Sequence, residues 1–359
     1  MNSFVTTDRQ TWLDVLKSFA IIAVIVDHAN GFLYTNQYIA WASYFSVTTF
    51  VFASGINMYN SNIKHLKEPY ASFMKSKLEH ILIPYILASA IYIYFAYGGL
   101  LDLRTYLSAL INFNASSPFY YIVFYIQLVM ISRILAEIVE WTGRKAKAVL
   151  LYSLELVIIL GLAVFAMYHT YILPVHGGGQ YLFGGTYLFV FYIGMICGKY
   201  CNRIKIDMTK IAAMFLLSVV MLVIWIKYMG ANGLILDETV KYFGSFNPPG
   251  PTFLIYSFFV ICFVWSMCHI IEALDFQLLN SPYKLMAYIG RNTFYIFLLH
   301  LYFLSVVRQT VQQMALSNIW LIRFVTFLIA LGGSIIIGKL FDYLIYQFPV
   351  KLRKSITDD

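Results

Sequence analysis

Charge is scarce in this chain. Asp, Glu, Lys and Arg make up 12% of its 359 residues, against a hydrophobic share of 60%. A soluble chain of that length needs far more polar surface, so the surplus apolar surface must face lipid. Cysteine is scarce too. Cys197, Cys201, Cys262 and Cys268 sit in or beside apolar runs, with neither zinc spacing nor a disulfide framework, and read as small buried hydrophobes. No metal site is expected. Gly-x-Ser-x-Gly, a Walker loop, paired-cysteine clusters and His-Glu-x-x-His are all missing, which removes the motif-bearing hydrolases, nucleotide hydrolases and zinc peptidases. There is no repeat at a fixed period and no low-complexity linker.

What the chain does have is long apolar runs and aromatic rings. Mean hydropathy is +0.73, and 29 Tyr and 30 Phe, the Tyr often near the ends of runs, suit the headgroup zone. Spans are expected at about 13–33, 38–59, 80–97, 119–139, 149–168, 181–200, 211–229, 252–271, 286–307 and 319–347. The fold class is therefore all-α: a polytopic membrane protein of about ten transmembrane helices, forming a single membrane-embedded domain over 1–359. The net charge of +8 is spread over short connections and does not form a nucleic-acid surface. One set of connections carries Lys64, Lys67, Lys75 and Lys77; then Arg144, Lys145 and Lys147; then Arg203, Lys205 and Lys210; then Lys284; then Lys351, Arg353 and Lys354. The other set carries little beyond Arg104, Lys241 and Arg308. The positive-inside rule then makes both termini cytoplasmic. The first run holds Asp14, Lys17 and Asp27-His28 with no small-x-small site after it, so a cleaved signal peptide is not expected.

Ionisable groups inside a span cost at least ~2.5–3.5 kcal/mol at the helix centre and are functional candidates by default. Lys17 and His28 are eleven positions apart, which gives nearly the same azimuth and a separation of ~16 Å along a helix. Asp14 lies one turn before Lys17 on that side. One helical face thus reads Asp14, Lys17, His28, while Asp27 is expected to point elsewhere. Two readings stand at this stage. Lys17 snorkels and His28 bonds a neighbouring helix, or His28 is a general base for activating a hydroxyl. The segment from Lys75 through Lys77 to His80 is read as a loop end leading into an apolar helix, and it too has two readings: a positive-inside anchor, or a clamp for an anionic ligand. His300 is a candidate to line the same cavity as His28. Glu155 and Arg323 need partners, and Ser54-Gly55 reads as a close helix contact. The outer loops 169–180, with His169, His176 and Gly177-Gly178-Gly179, and 230–251, with Pro248-Pro249-Gly250-Pro251, have some chemical content.

Leu13-Asp14-Val15-Leu16-Lys17 through Asp27-His28 resembles the opening helix of the acyltransferase-3 family of membrane acyltransferases, with ten intervening residues between its basic residue and its histidine. Phe52-Ala53-Ser54-Gly55 resembles the family's Phe-x-x-Ser-Gly, and Lys77 through Tyr85 resembles its Arg-x-x-Arg-Ile-x-Pro-x-Tyr. Phe119-Tyr120-Tyr121, Gly194 to Gly198 and Asn292 to His300 match looser patterns in the expected order. Two departures stand out: Lys17 replaces a commoner Arg, losing bidentate geometry, and His80 replaces the second Arg of the cytoplasmic pair. The resemblance implies an O-acyltransferase of a bacterial plasma membrane, moving an acetyl or succinyl group from cytoplasmic acyl-CoA to a hydroxyl of a cell-surface polysaccharide. The length and Lys-rich loops resemble the Gram-positive exopolysaccharide branch. Acyl-CoA would be a substrate and no resident cofactor is expected. Lys17, Lys75, Lys77 and His80 would hold its phosphates. His28, with Asp14 and His300, would carry the chemistry, His28 as base or as transient acyl carrier. A homo-oligomer and a synthase-complex partner both stay open. The alternative from another class is a polysaccharide exporter or lipid-linked sugar flippase.

Overall fold

The structure, a computed structural model, describes residues 10–96, 98–99, 102–169, 181–201, 207–232, 247–274, 277–314 and 318–347. Arg203, Lys205, Lys241, Lys351, Arg353, Lys354, His176 and Gly177-Gly178-Gly179, and the side chain of His169, lie outside the described residues. The elements are α1 (Thr11–His28), α2 (Gln37–Ser43), α3 (Ser46–Lys64), α4 (Tyr70–Ala96), α5 (Leu103–Asn112), α6 (Tyr120–Thr142), α7 (Ala148–His169), α8 (Tyr187–Tyr200), α9 (Met208–Asn232), α10 (Pro251–Leu274), α11 (Gln277–Arg291), α12 (Thr293–Met314) and α13 (Ile319–Asp342). No strand occurs among the described residues. The protein is an all-helical, polytopic membrane protein.

Eight described segments are long and apolar enough to cross a bilayer. Two further passages read from the sequence correspond to α1 and α8. The first carries Asp14, Lys17 and Asp27 within its 18 residues. The second is apolar but only 14 residues long, or ~21 Å. The charges of α1 are tolerable because it does not face lipid. It packs against α2, α3, α10, α11 and α12, and Asp14, Leu16, Ser18, Ala20 and Ile21 on it are all buried.

Three expected spans have different boundaries, each for a local reason. The run 38–59 divides into α2 and α3 around Tyr44 and Phe45. Backbone groups released by the break find side chains: Tyr256 Oη donates to the Ala42 carbonyl (2.7 Å) and Ser43 Oγ to the Ala40 carbonyl (2.6 Å). The run 286–307 divides at Asn292, where Asn292 Nδ2 donates to the Tyr288 carbonyl and Thr293 Oγ1 to the Gly290 carbonyl. The third correction concerns the basic segment before 80. It is not a loop end. α4 begins at Tyr70, so Lys75, Lys77 and His80 are all helical.

Glycines set the closest approaches. A Cβ on Gly55 of α3 would stand 2.2 Å from the Phe191 carbonyl oxygen of α8, and one on Gly194 would stand 2.3 Å from the Phe52 oxygen. The two helices therefore cross with backbone against backbone, as small residues permit in membranes. The same device fixes α11 on α1, since a Cβ on Gly290 would fall 1.7 Å from the Asp14 carbonyl oxygen. Polar side chains add ties between helices and turns. Lys199 of α8 lies 3.2 Å from the Glu140 carboxylate of α6, and Tyr59 of α3 donates to that carboxylate. Arg133 of α6 donates to the Glu68 and His65 carbonyls (2.9 and 2.8 Å) and stacks on Phe73, which holds the α3–α4 turn and the start of α4. Glu155 pairs with Thr142 and Tyr192, both at 2.5 Å. Arg323 donates to the Leu33 carbonyl at 3.0 Å.

Overpacking a tight contact costs about 1–3 kcal/mol. Gly55→Val and Gly194→Val are expected to lower the thermal midpoint of the detergent-solubilised protein by several degrees. Gly332→Ala, at a position with nothing within 4 Å of its Cβ, should leave it unchanged. Size-exclusion thermostability measurements compare the three.

Candidate functional site

Two cavities lie along α1, one near each end of its polar face. The first, of about 370 Å³, is lined by Lys17, Lys77, His80 and Arg291, with Ser54, Asn57, Tyr125 and aromatic and aliphatic neighbours. We call it the basic cavity. The second, of about 240 Å³, is lined by Asp27, His28, Tyr44, Ser46, Ser117, Tyr120 and Asn247 among others. We call it the histidine cavity. Phe50, Tyr121 and Phe297 belong to both walls.

The cations come from three helices. Lys17 projects from α1 and is held by the Asp14 carboxylate at 2.7 Å, the side chains being 16% and 6% exposed. Asp14 therefore positions the lysine, and it does not line either cavity. Lys77 and His80 are three residues apart on α4 and share a face; Lys77 rests over the Phe73 ring, 5.4 Å from its centre. His80 Nδ1 is 2.7 Å from the Ser76 carbonyl. Lys75 is excluded by the same helical geometry. Two residues are about 200° apart in azimuth, so when Lys77 faces the cavity Lys75 faces away. Its side chain is 77% exposed and lies 3.9 Å from Glu79. Arg291 comes from the last turn of α11.

At the far end of α1, His28 and His300 are adjacent, their ring centres 5.1 Å apart and their planes tilted by 41°. His300 is fully buried on α12 and is not on the cavity wall; it stands behind His28. Its Nδ1 lies 2.8 Å from the Phe297 carbonyl and 3.1 Å from the Ile296 carbonyl. A carbonyl only accepts, so Nδ1 carries the hydrogen, and in the neutral ring Nε2 then presents a lone pair. That Nε2 is buried and has no hydrogen-bond partner. Asp27 does not point away from the site as expected. It shares the cavity wall with His28, because the cavity wraps round the last turn of α1 and reaches neighbouring azimuths.

Several lining residues escape a reading by span. Phe50, Ser54, Asn57 and Met58 form an i, i+4, i+7, i+8 stripe on α3, and Tyr121 and Tyr125 are four apart on α6. Helical spacing of polar residues within apolar runs was the available signal. Ser54 faces the basic cavity while its neighbour Gly55 makes the helix contact. Arg291 falls inside the assumed 286–307 span, and the Arg-Asn-Thr sequence marks the helix break that frees it. Among the described residues, no group of three or more His, Cys, Asp or Glu is placed to hold a metal.

A family model described as an acyltransferase domain, that of the acyltransferase-3 family, matches residues 10–339. The chain belongs to this family. It is a membrane acyltransferase, which favours the transferase over the exporter. Comparisons with curated proteins and with solved structures find no match.

The hydrogen bonds of His300 define its tautomer. In ¹⁵N-histidine NMR of the labelled protein in lipid, His300 is expected to resonate as neutral Nδ1–H imidazole, assigned by its disappearance in His300→Asn. A signal for the Nε2–H form would refute the assignment.

Proposed function

We propose that this acyltransferase moves an acetyl group from cytoplasmic acetyl-CoA to a hydroxyl of a cell-surface glycan. The observation that carries this reading is the division of labour along α1: a basic cavity at one end, a histidine at the other, and a shared wall between them. Lys17, Lys77, His80 and Arg291 offer charge-assisted donors suited to the phosphates of a nucleotide thioester. The distribution of Lys and Arg over the connections makes that end cytoplasmic. The pantetheine arm would run along the α1 face and bring the thioester to the common wall. Lys75 has no part in the clamp.

The acceptor would enter the histidine cavity, where Asp27, Ser46, Ser117 and Asn247 offer hydrogen bonds to a polyhydroxylated ligand. Asn247 is itself held, accepting from Tyr187 Oη at 2.8 Å and donating to Tyr120. His28 removes the acceptor's hydroxyl proton as its oxygen bonds to the thioester carbonyl carbon. Collapse of the tetrahedral adduct breaks the C–S bond, and the thiolate leaving as CoA takes the proton back from His28. The thioester is already activated, so positioning and one base suffice. His300 is a positioning residue in this scheme. Its bare Nε2 beside His28 offers an acceptor to the imidazolium form, which has a hydrogen on both nitrogens.

In nanodiscs, His28→Ala is expected to lower acetyl transfer by about 10²- to 10⁴-fold, the range for loss of a general base. CoA affinity should stay within about threefold, since His28 does not line the basic cavity. Arg291→Ala should weaken CoA binding by about tenfold, the loss of a charged hydrogen bond of ~1.5 kcal/mol, whereas Lys75→Ala should leave it unchanged. Calorimetric titration with CoA and a radiolabelled acetyl-transfer assay read the two effects. Full activity in His28→Ala would remove the base from the mechanism.

A further inference from the structure

Phe50, Tyr121 and Phe297 project from α3, α6 and α12 and are common to both cavities. The Tyr121 and Phe297 rings are in contact, with centres 5.2 Å apart. Tyr121 also packs on Phe124 and Tyr125, at 4.9 and 5.5 Å. Phe297 in turn lies 6.3 Å from His300, the histidine behind His28. The junction is thus made of rings braced by further rings, on three different helices.

Its position gives it a task. With the phosphates of a donor at Lys17, Lys77 and Arg291, the thioester must reach this junction for His28 to serve its carbonyl. Anything attached beyond the carbonyl then projects into the histidine cavity. That space is the smaller of the two, about 240 Å³, and it must admit the acceptor hydroxyl as well. A long acyl chain would occupy the acceptor's place. A carboxylated chain meets a different obstacle: among the described residues no Lys or Arg lines this cavity, while Asp27 does. A succinyl carboxylate would be desolvated there without a cationic partner.

We infer that Phe50, Tyr121 and Phe297 form an acyl-selecting wall that limits the donor to short, uncharged acyl groups, acetyl in preference to butyryl, hexanoyl or succinyl. This rests on the acyltransferase reading above and narrows its donor. Phe50 is the member whose removal opens the junction most simply, because Tyr121 and Phe297 support each other.

The test uses the full-length protein in nanodiscs with acetyl-, butyryl-, hexanoyl- and succinyl-CoA as donors. Hydrolysis or transfer is followed by thiol release, and each thioester is titrated against bound CoA in competition. Wild type is expected to discriminate against butyryl- and hexanoyl-CoA by at least tenfold in kcat/KM. Phe50→Ala should raise the butyryl-to-acetyl ratio of kcat/KM by about tenfold, a ratio in which any loss of contact with the CoA moiety common to both donors cancels. Phe50→Leu, a milder change that protects against loss of folding, should shift the ratio in the same direction by about threefold. An unchanged ratio in variants that still bind CoA would overturn the wall and leave the transferase intact. So would a wild type that uses hexanoyl- or succinyl-CoA as well as acetyl-CoA. Failure of every thioester to bind or turn over in wild type would defeat the CoA donor itself, and the wall with it.

Discussion

The ion pair between Asp14 and Lys17 is the constraint around which this bundle is arranged. A charged pair in a helix that must cross a bilayer cannot face hydrocarbon. α1 is accordingly surrounded by five other helices, and its amphipathic partner α11 comes within backbone contact of Asp14 at Gly290. The 2.7 Å separation keeps each charge compensated at a point where water is limited. It also fixes the direction of the lysine, which turns its ammonium toward the basic cavity. Central placement of α1 goes with a basic cavity whose other lining residues come from α3, α4, α6, α11 and α12.

Neighbouring helices are held to that arrangement by two kinds of contact. Gly55 and Gly194 let α3 and α8 approach to backbone distance, which aims the Phe50–Ser54–Asn57 stripe at α1. Polar contacts, Lys199 with Glu140 and the two terminal nitrogens of Arg133 with two carbonyls, lock α6 against α8 and against the turn before α4. The second of these matters for chemistry. It fixes the start of α4, hence the azimuth at which Lys77 and His80 meet the cavity. A buried guanidinium held by two backbone carbonyls is a spacer, and its loss would be felt at a site it never touches.

Much of this was legible in the sequence, for identifiable reasons. Hydropathy found the passages because lipid leaves no alternative to helices for a spanning chain. The eleven-residue spacing found the polar face of α1 because helical geometry is fixed. Where α4 begins was not legible: Lys75 and Lys77 look alike as members of a basic segment, and only a helix extending back to Tyr70 separates the one that faces the cavity from the one that faces out. Arg291 was hidden for a similar reason. Hydropathy averages over a helix break, while the Asn292 and Thr293 side chains that satisfy the interrupted backbone act on single hydrogen bonds. Contacts between distant segments, such as His28 with His300 across 272 positions of chain, have no local signal; only the costliness of an intramembrane histidine hinted that each needed company.

On the proposed reading, the separation into two cavities has a physical rationale. A thioester in contact with both bulk water and a poised imidazole would be hydrolysed without benefit. A junction of three aromatic side chains presents no polar surface except the Tyr121 hydroxyl, so water has little reason to occupy it. The pantetheine arm, by contrast, can displace nothing of value there and gain apolar contact. α1 serves as the ruler for this arrangement: ~16 Å of helix separates Lys17 on the wall of the basic cavity from His28 on the wall of the histidine cavity. Because that distance is built into one rigid element, changing it requires inserting or deleting residues in a helix packed against five others. The spacing of Lys17 and His28 is thereby coupled to the packing of the whole protein.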